Sequence, residues 1–357
     1  NNMPKKSVLP KSLLEHTPWE NTETPIWLAS VFIIRRNLSR YPFPQKMNGK
    51  QSEITLKILK ETILQSKMLD NPIFFKADTL NPTEREYLLE YFLLSDEMQS
   101  LQEEQGFFLE DSRSLFIQIN QKDHLSFYCI DCGSDWKNSW KKLSGMESSL
   151  SNHVEFAYNP KFGYLTSNQQ TCGTAFQIHT YLHIPSIIHS NALTASLQSI
   201  GEQDIEVKGI SGNLEEIVGD LILLQNRYTL GVSEETILHQ VHTFATKLMQ
   251  TEKECRKKIL EKEPAIIKDK VSRAYGLLNH SYQLEIKETL SALSLLKLGI
   301  DLNWIRGITH PQINDLLFKC RRAYLLVAED NHLTQEEVSH KRSELLHRYL
   351  KNVILKI

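Results

Sequence analysis

Long apolar runs are missing from this chain of 357 residues: no segment approaches the ~20 consecutive apolar residues that cross a bilayer, so a membrane role is not expected. An excess of either charge is missing too. The 41 Lys and Arg against 43 Asp and Glu leave a formal net charge of −2, which gives no electrostatic reason to invoke nucleic acid or an anionic surface as a partner. Cysteine is scarce and odd in number, at five, which points to a reducing compartment and against a disulfide framework. The opening Asn1-Asn2-Met3-Pro4-Lys5-Lys6 lacks the apolar core of a signal peptide, so the expected location is the cytoplasm. What remains is ordinary for a soluble globular protein, with 41% hydrophobic and 24% charged residues. The length suffices for a full core and is long for one domain, so two or three lobes are expected.

Residues 1–25 are polar and punctuated by proline, which predicts a poorly ordered lead-in. Residues 26–105 mix one extended segment with helical stretches at Glu53–Ser66 and Glu84–Leu94, separated by Pro72 and Pro82. The lobe 106–260 opens on strands. Phe107–Leu109, Leu115–Asn120 and Leu125–Ile130 are each rich in aromatic or β-branched residues and are split by short polar turns. Ser144–Tyr158 predicts a helix, Gly163–Thr174 a strand and loop, Phe176–Ile188 a mixture, and Ile205–Ile210 and Asp220–Leu224 two further strands. Ser233 can cap a helix that carries Glu234 and Glu235 in its first turn, with Ile237, Val241, Phe244 and Leu248 at helical spacing. Residues 261–357 are expected to be all-helical, through Val271–Leu278, Glu285–Leu296, Ile313–Val327 and Glu336–Ile354.

Four segments carry the functional reading. Gly163 to Pro185 reads GYLTSNQQTCGTAFQIHTYLHIP. It resembles GYLTxCPTNxGTxxRASxxxHLP of the ATP:guanido phosphotransferases, most closely the bacterial protein-arginine kinases. Gly163-Tyr164-Leu165-Thr166, Gly173-Thr174, His183 and Pro185 fit that frame. Asn168 stands where the family has its reactive cysteine, and Gln177 where it has a phosphate-binding arginine. Asn120-Gln121-Lys122-Asp123-His124-Leu125-Ser126 resembles NEEDHLR, with Gln121 and Lys122 in place of the two glutamates and Ser126 in place of the arginine. Leu28-Ala29-Ser30-Val31-Phe32-Ile33-Ile34-Arg35-Arg36-Asn37 resembles LSSRIRLARN, so Ser30 occupies a nucleotide-binding position while Val31 and Ile33 replace two more arginines. Lys208-Gly209-Ile210-Ser211-Gly212-Asn213 resembles RGxYGE, with Asn213 for a substrate-binding glutamate.

The resemblance implies an α+β guanido-kinase fold: an antiparallel sheet flanked by helices, a small N-terminal lobe and a helical C-terminal domain. It also implies five phosphate-binding cations, of which Val31, Ile33, Ser126 and Gln177 are uncharged and Lys208 lacks the bidentate fork of arginine. At roughly 1.5–3 kcal/mol for each charge-assisted hydrogen bond, four lost arginines remove on the order of 6–12 kcal/mol of anchoring. An amide and a cation at positions 121 and 122 cannot hold a guanidinium or take its proton, a loss of about 10² to 10⁴ more.

The expectation is therefore a pseudokinase, a regulatory or binding subunit with no certain cofactor and no metal. The alternative is an active protein-arginine kinase using Mg-ATP, in which Glu215 or Glu216 supplies the carboxylate and Lys122, Lys208 or Arg227 the cations. By the same resemblance the partners would be a second copy, a zinc-finger activator protein and a Clp chaperone-protease of the stress response. The family's phosphoarginine pocket motif RDxxRA is reduced here to Arg342. Three weaker patterns read as structural: the lone Cys129-Ile130-Asp131-Cys132, the His179 and His183 pair, and the basic runs Lys253–Lys258 and Lys341–Arg348, expected as solvated helix faces.

Overall fold

A computed structural model of the chain describes residues 9–17, 24–92, 104–132, 135–201, 204–262, 264–328 and 333–357. Its centre is one eight-stranded antiparallel sheet. From edge to edge the strands are Ile73–Lys76, Gly106–Leu109, Leu115–Ile119, Leu125–Asp131, Trp27–Arg36, Phe176–His183, Leu221–Asn226 and Ile205–Gly209. The Trp27–Arg36 strand lies in the middle, and nine of its ten residues are buried. That explains its reading as a nearly unbroken apolar run, since a strand covered on both faces has no solvent side to mark with alternation.

Each face has its own core. The rear face presents Phe32, Ile34, Phe127, Ile178 and Leu224 to the helices Gly49–Ser66, Trp136–Ser151 and Glu234–Lys262. The front face presents Val31, Ile33, Phe116, Tyr128 and Leu221 to a cluster that includes the helix Pro82–Tyr91 and the C-terminal helices. Aromatic rings knit the front together: Phe92 stacks on Phe116 at 4.9 Å, Phe107 on Phe116 at 5.4 Å, and Tyr87 and Tyr91 meet Phe318 edge-on at 5.6 and 5.7 Å. Asn48, Asn81 and Thr334 each start a helix with a reciprocal capping box.

Several elements differ from expectation for identifiable reasons. The helix at Trp136–Ser151 begins eight residues before Ser144; its first two turns are mostly polar apart from Trp136 and Trp140, so apolar periodicity does not mark its start. Tyr158 lies beyond it, in a short ladder with Tyr164. The edge strand Ile73–Lys76 and the helix Leu193–Ile200 were not foreseen. Ile313–Val327 is two helices, His310–Lys319 and Arg322–Ala328, although its apolar periodicity runs on across the break. The C-terminal region also holds a two-residue ladder, Ile305–Arg306 with Ile354–Leu355. Leu93 and Leu94, expected to end a helix, lie outside the described residues. Within the lead-in, Lys11–Glu15 forms a short helix, Leu9 and Leu13 are buried, and Tyr87 donates to the Leu13 carbonyl at 2.8 Å.

Candidate functional site

Register decides which of the singled-out side chains meet. Val31 pairs with Ile130 and His179, Ile33 with Tyr128 and Gln177, and Arg35 with Ser126. Leu223 lies between Tyr181 and Lys208, and Tyr181 pairs with Ala29, two residues from Val31 on the same side. Because side chains alternate between faces with a period of two, Val31, Ile33, Ser126, Gln177 and Lys208 all fall on the front face. Four strands thus bring together the five positions that the resemblance marks as cation sites. Ser30 points to the rear, where its hydroxyl lies 2.9 Å from that of Thr180 and accepts from the Trp27 indole at 3.0 Å.

What the front face offers a triphosphate is poor. Val31 is 0% exposed and Ile33 2%, both within the apolar cluster that includes Phe92, Phe116 and Tyr128. Ser126 is buried between Arg35 and Gln118. The guanidinium of Arg35, itself buried, donates to the side-chain carbonyl of Gln177 at 2.5 Å. Lys208 places its ammonium 3.1 Å from Glu206, which also accepts from Gln225 at 2.6 Å. Arg35 and Glu206 are the site residues that sequence reasoning missed. Glu206 had a visible signal: two residues before Lys208 in a strand, it had to share the same face. These residues do not fit Mg-ATP at the family's place for it, because apolar side chains fill two cation positions and a carboxylate neutralises a third.

The substrate side has changed as well. The Gln121 amide donates to Gln105 at 2.9 Å, and Lys122 is exposed. Asn168 is exposed, and its side chain accepts from the Gln170 backbone at 3.1 Å, closing the turn Gln169–Thr171. Cys172 lies in the same loop with its sulfur 3.5 Å from the Thr166 nitrogen. Asn213 is exposed at a tight turn, its carbonyl accepting from Gly209 at 2.7 Å. Glu216 pairs with Lys287 at 2.6 Å on the surface.

The scaffold around these positions is densely hydrogen-bonded. Buried Asp123 accepts from Asn37 at 2.6 Å and from the Ser167 backbone at 2.7 Å. Asn37 also donates to the Leu165 carbonyl at 3.1 Å and accepts from the His124 backbone at 2.9 Å. Nδ1 of His124 accepts from Leu38 at 3.2 Å, and burial pushes that imidazole down to about 4, so it is neutral. Arg36, also buried, bonds Glu147 at 2.8 Å and the Thr174 carbonyl at 3.0 Å while its guanidinium lies 3.5 Å above the Tyr164 ring. Gly163 and Gly173 both have positive φ, and a Cβ on Gly163 would come within 2.5 Å of the Gly173 carbonyl. Only glycine lets these two backbones approach so closely.

The remaining patterns are structural. Cys129 is buried and its thiol is pushed up to about 12 by desolvation, which leaves it inert. His179 and His183 lie on a strand, about 13 Å apart along it, too far to share a metal. His183 is fully buried, with Nε2 2.7 Å from the Ser294 hydroxyl. The basic runs are not wholly solvated: Arg256 pairs with Glu252 at 2.9 Å and Asp301 at 2.6 Å in a buried setting. Arg342 is 3% exposed and donates to the Cys320 and Leu284 carbonyls at 2.6 and 2.5 Å, so it ties a helix end to a loop and does not line an open pocket.

The fold is the one seen in solved guanido kinases. Lombricine kinase superposes with a TM-score of 0.55 at 14% identity, over 72% of this chain and 73% of that one. The substrate-free duplicated taurocyamine kinase from Schistosoma mansoni gives 0.57 at 16% identity over 76% of this chain, which spans only 40% of that duplicated one. The sequence goes further. A family model for the C-terminal catalytic domain of ATP:guanido phosphotransferases matches residues 55–255, and one for the protein-arginine kinase McsB C-terminal domain matches residues 264–355. A protein-arginine kinase of Halothermothrix orenii is 30% identical over 96% of this chain and 97% of its own length. One from Chlamydia pneumoniae is 31% identical over 97% and 98%. The chain belongs to the protein-arginine kinase family of ATP:guanido phosphotransferases. No helix among the described residues is long and apolar enough to cross a membrane.

Proposed function

We propose that this member of the family is a pseudokinase, a binding or regulatory subunit that no longer transfers phosphate from ATP to arginine. The burial of Val31 and Ile33 carries the reading. Phosphoryl transfer depends on donors already aimed at the moving phosphoryl group. Here two of the five positions are core side chains, Arg35 is engaged by Gln177, and Lys208 by Glu206. No carboxylate stands at positions 121 or 122 to orient a guanidinium. The family resemblance supports a cytoplasmic setting, a homodimer, and a zinc-finger activator and Clp chaperone-protease as the first partners to test.

Calorimetric titration with Mg-ATP, followed by a mass-spectrometric search for phosphoarginine on a protein substrate, tests the proposal. The expected result is no saturable nucleotide binding and no modified arginine. Robust modification would favour the rearranged enzyme, in which Glu215 or Glu216 acts with Lys122, Lys208 or Arg227. The engagement of Glu216 with Lys287 on the surface counts against that second reading.

A further inference from the structure

The rear of the molecule carries a concave site that the front-face chemistry does not use. Where the first turns of the helices Trp136–Ser151 and Glu234–Lys262 converge, there is a depression of about 690 Å³. Half-buried Trp136 and Trp140 offer their indoles to it, with Leu238 beneath. His242 lies 5.0 Å from the Trp136 ring and 5.5 Å from that of Trp27, and Trp140 rests on Phe176 at 4.3 Å. Three of the chain's five tryptophans therefore gather here, and all three keep part of their surface in solvent.

The charges on the rim set the sign of the ligand. Asp135, just before one helix, and Glu235, in the first turn of the other, present exposed carboxylates, and one oxygen of Asp135 accepts from Asn138 at 2.6 Å. Lys137 is the cation of the described lining, and its ammonium lies 5.9 Å over the Trp136 ring, so that π face already draws positive charge from its own chain. His242 is held below its ordinary range by burial, by His239 and by Lys137, and adds no cation. Helix N-termini attract anions, but Asp135, Glu234 and Glu235 already supply negative charge at both. Indole faces beside two carboxylates match a planar cation, which can stack on a ring and donate hydrogen bonds to a carboxylate at once.

We propose that this depression binds an unmodified arginine side chain presented by a partner polypeptide. The inference does not depend on whether the front face transfers phosphate, and its test involves no nucleotide. The full chain is titrated, by calorimetry and tryptophan fluorescence, with a blocked glycine-rich peptide bearing one arginine and with the same peptide bearing citrulline, the neutral isostere.

The arginine peptide should bind saturably, and the citrulline peptide about tenfold or more weaker. Asp135→Asn and Glu235→Gln should each weaken arginine binding by roughly fivefold to tenfold with unchanged circular dichroism. Trp136→Leu should remove the fluorescence response. Equal binding of arginine and citrulline, tighter binding of a phosphorylated peptide, carboxylate variants that bind like the parent, or no saturable binding at all would each overturn the proposal.

Discussion

Within the seven residues Asn120–Ser126, two kinds of position sit side by side and behave differently. Asn120, Asp123 and His124 satisfy backbone groups of other segments. Asn120, in a left-handed conformation, donates to the Ser52 and Glu104 carbonyls at 2.9 and 3.0 Å, Asp123 takes the Ser167 amide, and His124 takes that of Leu38. Around them the Gln121 amide donates to the Gln105 side chain, Lys122 is exposed, and Ser126 faces Arg35. A side chain that satisfies buried backbone cannot change without leaving an orphaned donor or acceptor, whereas one that served a ligand can. The loop can therefore keep its shape while the side chains beside it change.

The largest test of this contrast restores a cation to the closed face. Val31→Arg places a guanidinium at a site with 0% exposure, and urea unfolding should report a loss of about 3–5 kcal/mol. A cost under about 1 kcal/mol would mean that the face opens readily to solvent, and the burial argument would fail. Next is the scaffold: Asp123→Ala strands the Asn37 amide and the Ser167 backbone amide, and should remove about 2–3 kcal/mol. If instead stability holds and only the loop's hydrogen exchange quickens, the hub is local and does not anchor the fold.

Sequence made the strands of the front half legible almost to the residue. Phe107–Leu109, Leu115–Asn120 and Leu125–Ile130 each differ from the structure by one residue at one end, because aromatic and β-branched runs between polar turns admit few alternatives. Ile73–Lys76 escaped because four residues at a sheet edge give too little periodicity. The five family positions could be named from sequence, but their convergence on one face depends on pairing between strands up to 177 residues apart, from Val31 to Lys208. Burial was more legible: Val31 and Ile33, taken alone, read as strand residues facing a core, and the structure adds that Phe92 and Phe116 belong to the cluster around them. Arg342 is the mirror case, a charged residue expected at a pocket and found holding two carbonyls in the interior.

A pH titration sharpens the scaffold side. His124 falls from its ordinary 6.5 to about 4 in the folded chain, chiefly through desolvation. Between those values the unfolded chain carries the extra proton, so the stabilising contribution is complete above pH 6.5 and is lost as pH falls toward 4. The slope from this group should be about 1.4 kcal/mol per pH unit in that window. His124→Gln, which can still accept from Leu38, should flatten the profile there. An unchanged slope would assign the acid sensitivity elsewhere, to buried His183 for instance, whose imidazole is likewise held well below its ordinary range by burial.

The smallest effect separates two ways in which the front face could be silent. Glu206→Gln removes the carboxylate that neutralises Lys208 in a pair only partly buried, at 30% and 38% side-chain exposure. Stability should change by less than about 0.5 kcal/mol, since a half-exposed ion pair contributes little. Nucleotide binding should not appear either, because the freed ammonium is one point charge beside a face still closed by Val31 and Ile33. If Mg-ATP did bind to the Glu206→Gln chain by calorimetry, the silence of the parent would rest on one carboxylate, and the apolar closure would be an accompaniment and not its cause.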